Sequence, residues 1–182
     1  MEIVKTSIEG LLIIKPKVIQ DERGYFMESF KESFITENFP EIKFIQDNES
    51  KSSHGVLRGL HFQKPPYEQT KLVRVVKGKV LDVAVDLRSD SQTFGKWESI
   101  ILSEDNKKQL FIPKGFAHGF VCLSNEVIFS YKVDNPYSSK HEMGIKYNDE
   151  ELNIDWKIKT SSVLISKKDK KLISFQDFKN LN

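Results

Sequence analysis

The amino-acid sequence predicts an all-β protein, built as a sandwich, a jelly roll or a closed barrel. Short runs rich in Val, Ile, Leu and Phe are interrupted by Gly, Pro, Asn or Asp about every 8 to 12 residues, which is typical of antiparallel strands. Long stretches with the 3.6-residue period of a helix are missing. The chain has 182 residues, so we expect one domain, residues 1–182, with one principal site.

The predicted elements follow the apolar runs along the chain. Residues 71–88 contain two such runs joined at Lys77 and Gly78, and this pattern predicts a β-hairpin. A short helix is predicted over residues 31–38, and a C-terminal turn over residues 176–179, with Ser174 as a possible cap. The other predicted strands cover residues 11–18, 24–29, 42–50, 56–63, 97–102, 109–112, 119–123 and 128–133.

Charge and composition exclude several classes of function. The 28 basic and 26 acidic residues leave a net charge of +2, so we expect no nucleic-acid and no membrane partner, although a local anion site remains possible. The apolar run over residues 11–14 stops at Lys15 and Pro16, which makes it too short for a signal peptide or a membrane span. We therefore expect a soluble, cytoplasmic protein. Because Cys122 is the only cysteine, an internal disulfide and a multi-cysteine zinc site are excluded.

Four ionisable side chains lie on apolar strand faces. Side chains two residues apart share a face of a strand, and this alternation places His61, Lys71, His118 and Tyr131 on such faces. Burying such groups is costly unless they have partners, and an enclosed active site is where enzymes accept that cost. The sequence therefore predicts one cavity that these four residues share.

Each of these residues also has a purely structural interpretation. A single His or Tyr on an apolar face is more often a packed, hydrogen-bonded core residue than a catalyst, and for His118 the two interpretations are evenly balanced. Lys71 could be the solvated end of a strand. Arg23 could be a turn residue before Gly24, and Lys168 could belong to an exposed basic turn.

A metal site is the sharpest alternative for this class of fold. Small barrels of the cupin type often hold a metal through a cluster that begins with two histidines separated by one residue, but Gln63 occupies the second position after His61. Three or more ligands are usual for zinc or non-haem iron, and the remaining histidines, His54 and His141, fall in predicted turns. We therefore expect no metal and no cofactor.

Several blocks of the sequence, in order and nearly from end to end, resemble the dTDP-4-dehydrorhamnose 3,5-epimerase family. They include "PKVIQDERGYFMESF", "RGLHFQ", "KLVRV", "QLFIPKGFAHGFVCLS", "FSYK" and "SKKD". The resemblance implies a cupin-like double-stranded β-helix (jelly roll) with a few short helices. It also implies a metal-independent enzyme acting on dTDP-4-dehydro-6-deoxy-D-glucose, and a homodimer in which N-terminal strands are exchanged.

The resemblance further implies roles for particular residues. His61 matches the family's proton-abstracting base, Asp169 the carboxylate that holds it, Tyr131 the proton donor, and Lys71 a positive charge near the keto oxygen. From its place beside His61, we predict that Gln63 orients the substrate. Positions that contact the nucleotide sugar in the family are matched by Arg23, Glu28, Gln46, Asn48, Arg58, His118, Tyr137, Glu142 and Lys168. The sequence does not decide whether Lys168 or its neighbour Lys167 meets phosphate.

The chemistry explains why an epimerase would need this set. A C4 ketone acidifies the hydrogens on C3 and C5, and inversion then requires a base on one face of the sugar and an acid on the other. We predict double epimerisation through enolates, giving dTDP-4-dehydro-L-rhamnose. The alternatives are a 3-epimerase or 5-epimerase of another nucleotide 4-keto sugar, and a non-catalytic jelly-roll module that binds a nucleotide sugar.

Overall fold

The structure, a computed structural model, describes residues 1–181. Short strands connected by turns are the main regular structure of this part of the chain. The strands, in chain order, are β1 (Glu2–Lys5), β2 (Leu12–Lys15), β3 (Val18–Asp21), β4 (Gly24–Met27), β5 (Gln46–Ser53), β6 (Leu57–Gln63), β7 (Lys71–Lys77), β8 (Lys79–Asp86), β9 (Trp97–Ser103), β10 (Gln109–Ile112), β11 (Phe116–Cys122), β12 (Glu126–Val133) and β13 (Glu142–Gly144).

Helical structure is limited to short pieces, as predicted. Helix α1 covers Glu32–Asn38, helix α2 covers Phe175–Lys179, and single 3-10 turns cover Thr160–Ser162 and Asp169–Lys171. The expected cap of α2 is confirmed, because the backbone N–H of Asp177 donates to Ser174 Oγ at 3.0 Å and the Asp177 carboxylate accepts from the Ser174 backbone. No helix within residues 1–181 is long and apolar enough to cross a bilayer.

Two antiparallel sheets pack face to face and confirm the predicted all-β jelly roll. The six-stranded sheet has the order β1-β2-β10-β7-β12-β5, and the five-stranded sheet has the order β13-β6-β11-β8-β9. The core between the sheets includes Val73 and Phe129 from the first, and Phe120 and Leu102 from the second. A second apolar cluster covers the outer face of the five-stranded sheet with Trp156 and other residues of the C-terminal segment.

The predicted hairpin over residues 71–88 is wrong. Strand β7 pairs with β10 and β12 in one sheet, whereas β8 pairs with β11 and β9 in the other. The turn is present, with Gly78 at φ +83°, but it carries the chain across the sandwich. The pattern was misleading because β8 is buried on both faces: Val80 packs between the sheets and Leu81 packs outside them. Apolar runs of this kind do not reveal which strand is the neighbour.

Several predicted boundaries also change. The strand predicted over residues 11–18 ends at Lys15, because Pro16 lacks the N–H that a ladder needs, and β3 begins separately at Val18. The strand predicted over residues 42–50 begins only at Gln46. Strands β1 and β13 were not predicted, because each is short, lies at the edge of a sheet and has few apolar residues.

Strands β3 and β4 form a separate two-stranded sheet with an exposed apolar surface. Ile19 is 54% exposed and Phe26 is 66% exposed, although both are large apolar side chains. Tyr25 contacts the rest of the chain through Lys107, whose Nζ lies 3.7 Å from the ring centroid. A lone hairpin is only marginally stable in water, and this hairpin has little packing against its own chain to support it.

Candidate active site

A cavity of about 520 Å³ opens between the two sheets. Its size lies within the usual range for small-molecule sites. The face assignments made from strand alternation are correct, because all four ionisable residues on apolar faces point into this cavity. Nine of the fourteen predicted site residues line it: Arg58, His61, Gln63, Lys71, His118, Tyr131, Tyr137, Glu142 and Asp169.

His61 and Asp169 form a hydrogen-bonded pair on the five-stranded sheet side of the cavity. His61 Nε2 lies 2.8 Å from Asp169 Oδ1, and the Asp169 side chain is 6% exposed against 31% for His61. Burial alone would raise the pKa of Asp169, but hydrogen bonds from His61, from the Gly59 backbone N–H and from Ser166 outweigh it and lower the pKa. The ionised Asp169 therefore holds Nε2 of His61 as the protonated nitrogen and leaves Nδ1 free to accept a proton.

Two glycines place His61 beside a second histidine. His61 of β6 is paired directly with His118 of β11, and the register shifts between His118 and Phe120. At this point the two backbones nearly touch, because a Cβ atom on Gly59 would lie 2.6 Å from Gly119 Cα. Gly59 also has φ +120°, a conformation that L side chains rarely adopt. The close approach of β6 and β11 therefore requires glycine on both strands.

Lys71 begins β7 and reaches across the cavity floor. Its Nζ donates to the backbone carbonyl of His61 at 3.5 Å. Burial lowers the pKa of Lys71 from its usual value to about 8, and the negative charges of Asp82 and Glu142 oppose this change. At neutral pH the side chain is therefore mostly an ammonium ion, held in a site where it has few competing partners.

Tyr131 faces His61 from the opposite sheet. It lies on β12 of the six-stranded sheet, whereas His61 lies on β6 of the five-stranded sheet. Burial raises the pKa of Tyr131, so its hydroxyl keeps its proton at neutral pH. That hydroxyl has no hydrogen-bonding partner among residues 1–181, which leaves it available to a bound molecule. A flat ring held between the sheets would therefore meet a base on one face and an acid on the other.

His118 has its own buried carboxylate. Its Nε2 lies 3.0 Å from both oxygens of Asp82, and the side chains of His118 and Asp82 are 7% and 0% exposed. Burial lowers the pKa of His118, more than the neighbouring Asp82 raises it, so the ring is neutral at neutral pH. The Nε2–H of His118 thus donates to Asp82, and Nδ1 remains an acceptor.

Charged groups surround the mouth of the cavity. Glu142 Oε2 accepts hydrogen bonds from the Tyr137 hydroxyl, at 2.5 Å, and from Lys168 Nζ. Burial would raise the pKa of Glu142, but these bonds outweigh it and lower the pKa. Arg58 is exposed, and among residues 1–181 its side chain donates only to Ser52 Oγ, at 3.1 and 3.2 Å. The mouth therefore presents Arg58 and Lys168 to an anion, and Lys168 is meanwhile paired with a carboxylate of the protein itself.

The other five predicted site residues do not line this cavity. Lys168 lies at the rim of the cavity, where it is paired with Glu142. Gln46 donates to Asn48 Oδ1 at 2.7 Å on edge strand β5, and Asn48 lines a smaller neighbouring pocket. Arg23 lies on the β3–β4 hairpin, with its side chain 85% exposed and paired with Asp21. Glu28 follows β4 and is paired with Lys31 at 3.7 Å.

Gln63 lines the cavity, but its amide is engaged elsewhere. Nε2 donates to the carbonyls of Tyr67 and Pro136, and Oε1 accepts from the backbone N–H of Ser138 at 2.6 Å. These bonds tie β6 to the loop that carries Tyr137. The role predicted for Gln63, orienting the substrate directly, stays a prediction.

Within residues 1–181, no group of three His, Cys, Asp or Glu side chains is placed to hold a metal ion. The polar groups of the cavity instead occur as the pairs His61–Asp169 and His118–Asp82. Each ring donates one N–H to a carboxylate and keeps one free nitrogen.

Sequence reasoning missed two parts of the site. The first is Asp82, which strand alternation groups with Ala84 and Asp86 on the less apolar face of β8, although that face points between the sheets. The second is the cavity wall formed by residues 164–166, where Leu164 forms a parallel bridge with Val56. This wall has no sequence signal, because it depends on a contact between residues more than a hundred positions apart.

The fold and the site together define a cupin-like jelly-roll protein with a histidine–aspartate pair on one sheet and a tyrosine facing it from the other. The sequence profile described as dTDP-4-dehydrorhamnose 3,5-epimerase matches residues 5–177. The chain belongs to the dTDP-4-dehydrorhamnose 3,5-epimerase family.

Relatives and solved structures agree with this assignment. The dTDP-4-dehydrorhamnose 3,5-epimerase of Escherichia coli (strain K12) is 49% identical over 179 residues, which cover 97% of this chain and 96% of the relative. The crystal structure of the Elizabethkingia anophelis enzyme of that name superimposes with a TM-score of 0.93 at 50% identity, covering 97% of each chain. The Legionella pneumophila dTDP-6-deoxy-D-glucose-3,5-epimerase, in complex with dTDP-4-keto-L-rhamnose, has a TM-score of 0.92 at 46% identity, covering 96% of this chain and 93% of that one.

Proposed function

We propose that this protein epimerises dTDP-4-dehydro-6-deoxy-D-glucose at C3 and C5, giving dTDP-4-dehydro-L-rhamnose in dTDP-L-rhamnose biosynthesis. The observation that carries the proposal is the placement of His61 and Tyr131 on facing sheets of one cavity. A protein that only binds a nucleotide sugar has no need for an acid and a base on opposite sides of the ring. The dTDP-sugar bound by the Legionella relative supports the substrate.

His61 is the proposed base. The C4 ketone allows the carbanion at C3 or C5 to delocalise onto oxygen as an enolate, so a neutral imidazole can remove either proton. Nδ1 of His61 is the free nitrogen, because Nε2 is held by Asp169 at 2.8 Å. The imidazolium that forms is stabilised by the same carboxylate.

Lys71 and Tyr131 complete the proposed mechanism. The Lys71 ammonium is already in place where negative charge develops on the ketone oxygen, and such preorganised charge can lower the barrier by several kcal/mol, about 3 for one donor. Tyr131 then protonates the enolate carbon from the opposite face. Tyrosine is a weak acid, but an enolate carbon is basic enough to accept its proton.

The mouth of the cavity is the proposed diphosphate site. Arg58 suits bidentate contact with phosphate, and Lys168 supplies a second positive charge. Lys168 is paired with Glu142 in the structure, so an incoming diphosphate replaces one anion by another at its ammonium group. Tyr137 and His118 contribute further contacts to the nucleotide sugar.

Deuterium should enter both C3 and C5 of the substrate during turnover. The test is proton NMR in deuterium oxide with purified protein, the proposed substrate and excess chelator. A reductase with NADPH traps the product, and dTDP-L-rhamnose deuterated at both carbons is the expected result, because each inversion takes its proton from an acid in exchange with solvent.

The other outcomes distinguish the alternative functions. Exchange at one carbon, with a product inverted there only, would replace this proposal by a single-site epimerase. Binding of the nucleotide sugar without any exchange would instead favour a non-catalytic binding module. A reaction without protein measures the background exchange of the ketone.

We further propose that residues 1–182 act as one catalytic domain and that the protein works as a homodimer in the cytoplasm, without a nucleic-acid or membrane partner. The exposed β3–β4 hairpin, with Ile19 and Phe26 at its surface, supports the homodimer because it lacks packing within its own chain. An exchange of hairpins would bring Arg23 and Glu28 to the partner's site. The near balance of charges supports the absence of a polyanionic partner.

Mixing two inactive variants should restore activity if Arg23 serves the partner's site. Arg23→Ala and His61→Ala are each expected to be strongly impaired. In a refolded equal mixture, half of the dimers are heterodimers with one intact site each, so activity should return to about a quarter of the wild-type value.

A mixture that stays inactive would contradict the proposed exchange of hairpins. If Arg23 acts within its own chain, every site in the heterodimer carries one defect and the mixture stays inactive. Sedimentation of the wild type as a monomer at assay concentration would also contradict the dimer. Lys17→Ala, another cation close to the hairpin, is the matched control.

A further inference from the structure

Asp82 is a buried carboxylate that the mechanism above does not use. Its side chain is 0% exposed in the middle of β8, on the face that points between the sheets with Val80 and Ala84. Burying a carboxylate costs several kcal/mol unless it is well compensated. The contacts of Asp82 must therefore offset the cost of its burial.

Apart from Asp169, which holds His61, the other buried aspartates, Asp86 and Asp149, have clear structural roles. Asp86 accepts from Arg88, Ser91 and Thr93, and Asp149 accepts from three backbone N–H groups. Asp82 has neither kind of support. Its only hydrogen-bonding partner in the described part of the chain is Nε2 of His118, at 3.0 Å from each of its oxygens.

Asp82 lies close to the cavity, because it contacts a residue of the cavity wall. His118 lines the cavity, whereas its hydrogen-bonding partner Asp82 does not. Asp82 is also the strongest source of negative charge acting on Lys71, ahead of Glu142. The charged or titratable groups that line the cavity with Lys71 are Glu49 of β5, Arg58 and His61 of β6, His118 of β11, Tyr131 of β12, Tyr137, Glu142 of β13 and Asp169, and Asp82 of β8 is hydrogen-bonded to His118.

We propose that Asp82 is a positioning residue, which holds the His118 ring in one tautomer and keeps the Lys71 side chain in its charged form. Through His118 it leaves Nδ1 as an acceptor facing the cavity. Through its charge it offsets the cost of burying the Lys71 ammonium. Its kinetic consequences rest on the proposed epimerase function, whereas its effect on Lys71 does not.

Asp82→Asn tests the charge with little change of shape. In the wild type, kcat should fall above about pH 8, where Lys71 loses its proton. In Asp82→Asn this alkaline limb should move about one pH unit lower, the size expected for the loss of one nearby opposite charge. The acidic side of the pH profile should move much less.

A second measurement does not depend on turnover. NMR titration of the free protein labelled with ¹³C and ¹⁵N in lysine follows Lys71 directly, and its signal is identified by its absence from Lys71→Met. The midpoint should be lower in Asp82→Asn than in the wild type. In histidine-labelled protein, the neutral His118 ring should change from one tautomer to a mixture.

Asp86→Asn is the matched control, because Asp86 is another buried carboxylate on the same strand. It should lower thermal stability without moving the alkaline limb or the Lys71 midpoint. An unchanged Lys71 midpoint and an unchanged His118 tautomer in Asp82→Asn would overturn the inference. A shifted midpoint in a protein that never epimerises the substrate would leave it standing and refute the proposed function instead.

Discussion

Replacing His61 by alanine should lower kcat by at least about a thousandfold, while dTDP binding changes little. The His61 imidazole has a free nitrogen and is held by Asp169, and its side chain is 31% exposed, whereas the other paired ring of the cavity, His118, is 7% exposed. In the proposed binding mode, other residues at the mouth of the cavity bind the diphosphate and the base of the nucleotide. Turnover is measured with the trapping reductase, and binding is measured by calorimetry with dTDP.

His54→Ala is the control for this prediction, because His54 is exposed and does not line the cavity. It should behave as the wild type in both measurements. A His61→Ala protein that keeps more than about a tenth of wild-type turnover would exclude His61 as the base. A parallel loss of binding and turnover would point to a damaged fold, which a thermal melt would reveal.

Replacing Tyr131 by phenylalanine should separate proton exchange from inversion. With the acid removed, His61 can still take a proton and return deuterium from solvent to the same face of the sugar. We expect trapped L-sugar to fall about a hundredfold or more, whereas deuterium still enters the recovered substrate. Both quantities are read from one NMR experiment in deuterium oxide.

Tyr147→Phe controls for the loss of a phenol, because Tyr147 packs in the cluster outside the five-stranded sheet. It should leave exchange and inversion coupled. Equal losses of exchange and inversion in Tyr131→Phe would mean that the tyrosine assists the first proton transfer. Undiminished inversion would show that another group is the acid.

Strand alternation predicted the centre of the site because a strand has only two faces. His61, Lys71, His118 and Tyr131 were each assigned to an apolar face from neighbours two residues away, and all four line one cavity. The prediction did not require knowledge of which strands pair. Their faces alone place them inside a sandwich.

Pairing and chain crossing could not be predicted in the same way. The turn at Gly78 has the local sequence of a hairpin, yet β7 and β8 belong to different sheets. Because β8 packs Val80 between the sheets and Leu81 outside them, its sequence does not show which strand is its neighbour. The outer face of β8 is covered by the C-terminal segment, which lies far away in sequence. Local patterns therefore indicate a turn, but they do not show which sheet the next strand joins.

Residues supplied by the family resemblance divide into two groups. Arg58, Tyr137 and Glu142 stand at the cavity of their own chain, whereas Arg23 and Glu28 lie on or beside an exposed hairpin. Matching motifs indicates which positions matter but not which chain they serve. Asp82 was found neither by the motifs nor by strand alternation, which groups it with Asp86 on the less apolar face of β8, although its side chain is fully buried.

The contact between Gly59 and Gly119 links two distant motifs of the sequence. Gly59 lies two residues before His61 in "RGLH", and Gly119 directly follows His118 in "AHGF". Neither backbone leaves room for a side chain on the other. A substitution at one of these glycines therefore cannot be compensated by a substitution at the other, because neither position has room even for the Cβ of alanine. In a distant homologue, the joint survival of these two glycines would indicate that the spacing of the histidines has been kept, and their loss would signal a remodelled site even where both histidines persist.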